Sequence, residues 1–130
     1  MPLVKIEIIE GKSKEFKKNL LDVVHRSLVE VFDIPDSDRT QRMYELKAEN
    51  FEIPAGKTEN IILIEITIFP GRSEKTKRAL YREIVDNLVR RLNISEKEIT
   101  IVLNEPALVN WGIKGGKSAA DVGIGFNLKI

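Results

Sequence analysis

The chain has 130 residues, 42% of them hydrophobic and 32% charged, which fits a single folded domain with a real core and excludes disorder. Its net charge of +1, from 21 basic and 20 acidic residues, gives no global field toward nucleic acid or anionic membranes. It has no cysteine, so disulfides, thiolate chemistry and cysteine-ligated zinc are excluded.

The amino terminus lacks the charged, apolar and cleavage regions of a signal peptide, and no apolar run reaches the roughly 20 residues of a membrane helix. The expectation is a cytoplasmic protein with no membrane or nucleic-acid partner. Lys12, Lys14, Lys17 and Lys18 cluster, and read as a solvated helix face.

In chain order, Val4, Ile6 and Ile8 alternate with Lys5 and Glu7, the period of a half-buried strand. Gly11 turns the chain and Ser13 stands where a helix N-cap belongs. Phe16, Leu20, Val24, Leu28 and Phe32 then recur at about one helical turn. A weaker, more polar strand is expected over about 39–46. Residues 47–60, with Pro54 and Gly56, read as a connector, with a short hairpin as an option.

The pattern then repeats. Shifted by 60 residues, IEIIEGKS (6–13) falls on ITIFPGRS (66–73), Lys17 on Lys77, Leu20 on Leu80, Leu28 on Leu88 and Ile34 on Ile94. Ile64, Ile66 and Ile68 form the second strand, Ser73 the second cap, and Leu80, Ile84, Leu88 and Leu92 the second helical stripe. Asn93 is expected as a left-handed helix stop, and 99–103 as a short apolar strand.

The fold class is therefore α/β, two repeated β-α-β units with right-handed parallel crossovers. The organisation is one domain over 1–130: repeat one about 2–46, connector 47–60, repeat two about 61–105 and tail 106–130. Gly112, Gly115, Gly116, Gly123, Gly125 and the only tryptophan, Trp111, mark that tail as a lid or subunit contact rather than core.

PLVKIEIIEG at the start, IPDSDR (34–39), GRSEKTK (71–77) and NWGIKGGKS (110–118) together resemble the tautomerase superfamily, and within it relatives of malonate semialdehyde decarboxylase. The resemblance implies a homotrimer in which strands of neighbouring subunits complete the sheets. It also implies a site that uses the amino-terminal proline, without metal or cofactor, on a small carboxylate substrate. By matching position, Pro2 would be the catalytic amine, Arg72 a carboxylate binder, Asp38 an aspartate that orients water or substrate, and Trp111 an aromatic lining the pocket. Where the decarboxylase has two arginines separated by one residue, this chain has Pro70, Gly71 and Arg72, so the first arginine is absent.

The residues are consistent with that chemistry. Freed of Met1, Pro2 is a secondary amine, and α-amino groups titrate near 7.7–8.0 before perturbation. An apolar site and a nearby cation both favour the neutral base. A local two-fold between the repeats would run their first strands antiparallel and bring Pro2 to the turn that carries Arg72. The planar guanidinium there suits a carboxylate.

The expected reaction is enol–keto tautomerisation of a small 2-oxo acid. Lys12, Arg39 and Arg42 are further candidate carboxylate binders. His25 has no second histidine, which argues against a metal site or acid–base work. Decarboxylation or hydration of a 3-oxo acid is the main rival, and it should need Asp38 as well as Pro2. A small-molecule-binding or assembly protein without catalysis is the other alternative, and the β-α-β-β-α-β order also fits a ferredoxin-like fold, which serves binding and regulatory modules. RNA binding of that type is disfavoured, because 4–9 and 61–68 carry no aromatic residue.

Overall fold

The computed structural model describes residues 1–123. Gly125 and the rest of the tail beyond Gly123 lie outside the described residues. Strand β1 (Leu3–Ile9) leads to helix α1 (Lys14–Phe32) and strand β2 (Thr40–Leu46). Strand β3 (Ile62–Thr67), helix α2 (Glu74–Leu92) and strand β4 (Ile99–Asn104) repeat the unit. The connector holds a short 3-10 turn, Ala48–Asn50, and no strand, so the optional hairpin is not formed there. A two-residue hairpin, β5 (Gly112–Ile113) and β6 (Lys117–Ser118), lies instead in the tail.

The sheet order is β2-β1-β3-β4. β1 pairs parallel with β2, and β3 parallel with β4, as helix crossovers require. The central pair is antiparallel, with Leu3 opposite Thr67 and Ile8 opposite Ile62, which places a two-fold between the repeats.

The local signals work in both halves. The Ser13 hydroxyl accepts from the Phe16 N–H at 3.0 Å, and the Ser73 hydroxyl from the Thr76 N–H at 3.2 Å. Asn93 ends α2 with φ 54°, and Asp33, its counterpart 60 residues earlier, ends α1 with φ 55°. Each donates its N–H back into the last turn, to Val89 and Val29.

Both helices cover one face of the sheet. Val4, Ile6 and Ile8 of β1 and Ile62, Ile64 and Ile66 of β3 pack there against Leu20, Val24, Leu28 and Phe32 of α1 and Leu80, Ile84 and Leu88 of α2. On the opposite face, Lys5 and Glu65 form a cross-strand ion pair at 3.3 Å, beside the exposed Tyr44 and Val102. No described helix is long and apolar enough to cross a membrane.

Candidate active site

The antiparallel register of β1 on β3 carries the amino terminus to the turn after β3. Pro2 is buried there, and an apolar pocket closes around Met1, Pro2, Phe32, Ile34, Ile68, Phe69 and Arg72. Arg72 comes in through the turn at Gly71, whose φ of 131° suits glycine. It is only 6% exposed, its guanidinium lies 4.4 Å from the centre of the Phe32 ring, and its Nη1–H donates to the Phe69 carbonyl at 3.4 Å. Burial lowers its pKa, with Glu105 opposing, yet an arginine so placed keeps its charge. A dehydrated guanidinium attracts an anion more strongly than a solvated one.

Asp38 meets the chain terminus from the other side. Its Oδ2 lies 2.8 Å from the Met1 amine. Burial lowers the pKa of that amine, Asp38 opposes the shift, and Arg72 adds to it. The terminal amine, tuned downward, thus stands between the Asp38 carboxylate and the pocket that holds the buried Arg72 cation.

Trp111 is buried but does not line this pocket. Its ring stacks on Phe69 at 4.5 Å, tilted by 56°, and its Nε1–H donates to the Pro106 carbonyl at 3.0 Å. With Ala119 the two rings form a second small core. The expectation of a lid is corrected to that extent: Trp111 is seated within its own chain and reaches the pocket through Phe69. The Gly-rich tail allows this because Lys114, Gly115 and Gly116 turn the hairpin at positive φ.

The structure does not bring the other candidate cations to Pro2 within this chain. Arg39 turns toward α1 and pairs with Asp22 at 2.6 Å. Arg42 is exposed on β2. Lys12 sits at the opposite end of β1, where its ammonium meets Asn60 and lies 5.4 Å from the centre of the Phe16 ring. The two-fold explains this, since equivalent positions such as Lys12 and Arg72 fall at opposite poles of the sheet.

That second pole was not foreseen as a unit, although a shift of 60 residues sets Glu98 on Asp38. Glu98 is 5% exposed and accepts from the Thr58 N–H at 2.9 Å and from its hydroxyl. Ile62 stands there where Pro2 stands at the first pole. The contribution of Phe69 to the pocket was also missed; its place directly before Pro70-Gly71-Arg72 was the available signal. Among the described residues no group of three or more His, Cys, Asp or Glu side chains is placed to hold a metal ion.

Comparison with known proteins agrees with this geometry. Residues 38–114 match one family of tautomerase enzymes, and residues 2–57 match a second. The probable tautomerase YrdN of Bacillus subtilis (strain 168) is 28% identical over 123 residues, covering 91% of this chain and 95% of that one. The 2-hydroxymuconate tautomerase of Stutzerimonas stutzeri is 33% identical over 61 residues, 47% of this chain but 95% of its own length, so that relative is about as long as one repeat. The crystal structure of malonate semialdehyde decarboxylase superposes with a TM-score of 0.80 at 25% identity, covering 92% of this chain and 98% of that one. With two repeats, capped alike and joined antiparallel so that the amino terminus meets Arg72, the chain belongs to the tautomerase superfamily.

Proposed function

We propose that the protein is a cofactor-independent tautomerase of small 2-oxo acids, with Pro2 as its general base once Met1 is removed. The observation that carries this reading is that Pro2 and the buried Arg72 line one pocket while Asp38 meets the terminal amine at 2.8 Å. Loss of Met1 converts the Pro2 nitrogen from an amide to a basic secondary amine and vacates the part of the pocket that Met1 fills.

In the proposed reaction, Arg72 holds the substrate carboxylate. Pro2 takes the proton from the enol hydroxyl, the electrons of that O–H bond form the carbonyl, and the C=C electrons take the proton back from the protonated amine to form the new C–H bond. The developing charge on the enolate oxygen lies toward the guanidinium. Phe69, backed by Trp111, keeps water from that face. The 2-hydroxymuconate tautomerase relative supports an enol acid as substrate class.

The test is an ultraviolet assay of enol-to-keto conversion with phenylenolpyruvate and a 2-hydroxydienoate. The protein should be shown by mass to lack Met1, with Pro2→Ala as control. A Pro2-dependent rate well above buffer is expected. No rate above buffer with either enol would remove the tautomerase reading.

The second reading is decarboxylation or hydration of a 3-oxo acid. It is favoured by the carboxylate of Asp38 beside the amine and by the 25% identity to malonate semialdehyde decarboxylase. It requires Asp38→Asn to abolish turnover, whereas tautomerisation should tolerate that change far better.

We also infer a homotrimer. One sheet face carries Tyr44 and Val102 at 48% and 47% exposure, and among the described residues no helix covers it and no strand pairs with either edge of the β2-β1-β3-β4 sheet. Light scattering coupled to size exclusion should give the mass of three chains, and a monomer mass would refute this.

A further inference from the structure

Asp38 reaches the amino terminus from a seven-residue turn, 33–39, between α1 and β2. Its own backbone is held locally, by donation of its N–H to the Pro35 carbonyl at 3.0 Å. The side chain that grips the turn from outside is His25. This residue is 2% exposed on α1, and its Nε2 lies 2.8 Å from the Asp36 carbonyl and 3.3 Å from the Asp36 carboxylate. The distance to the carbonyl requires Nε2 to carry the proton, since a carbonyl only accepts. The Arg39–Asp22 ion pair, more exposed, closes the other end of the turn.

We infer that His25 is a positioning residue: its ring N–H holds the Asp36 carbonyl and so fixes the turn that presents the Asp38 carboxylate to the amino-terminal amine. A buried ring is a stiffer anchor than a surface pair, which solvent and salt weaken. The inference rests on the reading of Pro2 as the working amine.

The geometry reaches that amine. Consecutive backbone nitrogens are roughly 3.5 Å apart, so an oxygen 2.8 Å from the Met1 nitrogen lies within about 6.5 Å of the Pro2 nitrogen. At that range a carboxylate stabilises the protonated amine. Asp38 from the turn and Arg72 from beyond β3 are the charged groups acting on the Met1 amine, and Arg72 also lines the pocket with Pro2. Asp36 is the charged group facing His25. Holding Asp38 in place therefore sets how readily Pro2 gives and takes its proton.

The experiment is an NMR titration of the Pro2 amine in isotope-labelled protein lacking Met1, without substrate. Asp38→Asn should move the midpoint to lower pH. His25→Met fills the site without a donor and should move it in the same direction, by roughly half of the Asp38→Asn shift or more. His25→Gln, which keeps an N–H, should restore most of the wild-type value. In the Asp38→Asn background, His25→Met should add nothing, as coupled residues require.

A His25→Met midpoint equal to wild type, or an equal shift with and without Asp38, would overturn the proposal. So would an unmoved midpoint in Asp38→Asn. One arm needs no variant to fold: nitrogen shifts of the wild-type ring must report the Nε2–H tautomer, and the Nδ1–H tautomer would overturn it. Because no arm depends on turnover, absence of activity toward enols would sink the tautomerase reading alone.

Discussion

The Glu98–Thr58 contact ties the connector to the second repeat across 40 residues of chain, and Thr58→Val measures what it contributes. Valine keeps the shape of threonine and removes one donor to a carboxylate that is 5% exposed. A hydrogen bond to a buried charge contributes about 1.5–3 kcal/mol. Thr58 itself is exposed, so water competes and the lower end applies, about 1.5 kcal/mol. For a chain of this length that corresponds to a fall of roughly 5 °C in Tm. Melts should be run at one protein concentration, because self-association stabilises by mass action.

The pH dependence gives a second reading of the same contact. The hydroxyl and N–H of Thr58 hold the Glu98 pKa below its ordinary value, against the opposing effect of burial. A carboxylate with a depressed folded pKa contributes stability that is present above its unfolded value, about 4.3, and is lost as pH falls through the folded value. Glu98→Gln should therefore be less stable than wild type at neutral pH and converge toward it in acid. A Thr58→Val stability within about 0.5 kcal/mol of wild type, together with parallel acid limbs for Glu98→Gln and wild type, would show that the carboxylate is solvated and the contact idle.

Arg72→Lys keeps the charge but loses the planar fork, so kcat/KM for a 2-oxo acid enol should fall by about 10²-fold, with Arg72→Ala lower still; equal activity of Lys and Arg would contradict bidentate carboxylate binding. Trp111→Ala removes a buried ring from Phe69 and should cost about 3 kcal/mol in a urea melt, at the low end for such truncations because the cluster is small; a change below about 1 kcal/mol would mean the tail is not seated. In protein that retains Met1, the terminal amine should titrate below its ordinary value of 8.0, moving up in Arg72→Ala and down in Asp38→Asn. Pro2 in the processed chain should shift in the same two directions, read as the acid limb of kcat/KM.

The repeat made most of the fold legible. Alternating Val4-Ile6-Ile8 and Ile64-Ile66-Ile68, the serines before each helix and the register of 60 specify the strands, caps and crossovers, and the two-fold then places Arg72 near Pro2. The same operation, applied to Lys12, would have sent it to the far pole. It would also have matched Asp33 to Asn93 and Glu98 to Asp38, which single positions do not advertise. Arg39 was less accessible, because its direction depends on Asp22 on another element, a long-range choice of side-chain conformation. The expectation of Trp111 in a lid or subunit contact rather than core came from reading the glycines as mobility, whereas the ring is buried in a small core of its own chain. At positive φ, Gly115 and Gly116 instead turn the tight hairpin that follows the ring stacked on Phe69.

The antiparallel pairing of two like units also fixes a count. However alike the halves become by substitution, a polypeptide has one amino terminus, so Ile62 can never present the secondary amine proposed for Pro2. An assembly of n chains offers n terminal amines, never 2n, and a reagent specific for them should saturate at one label per chain.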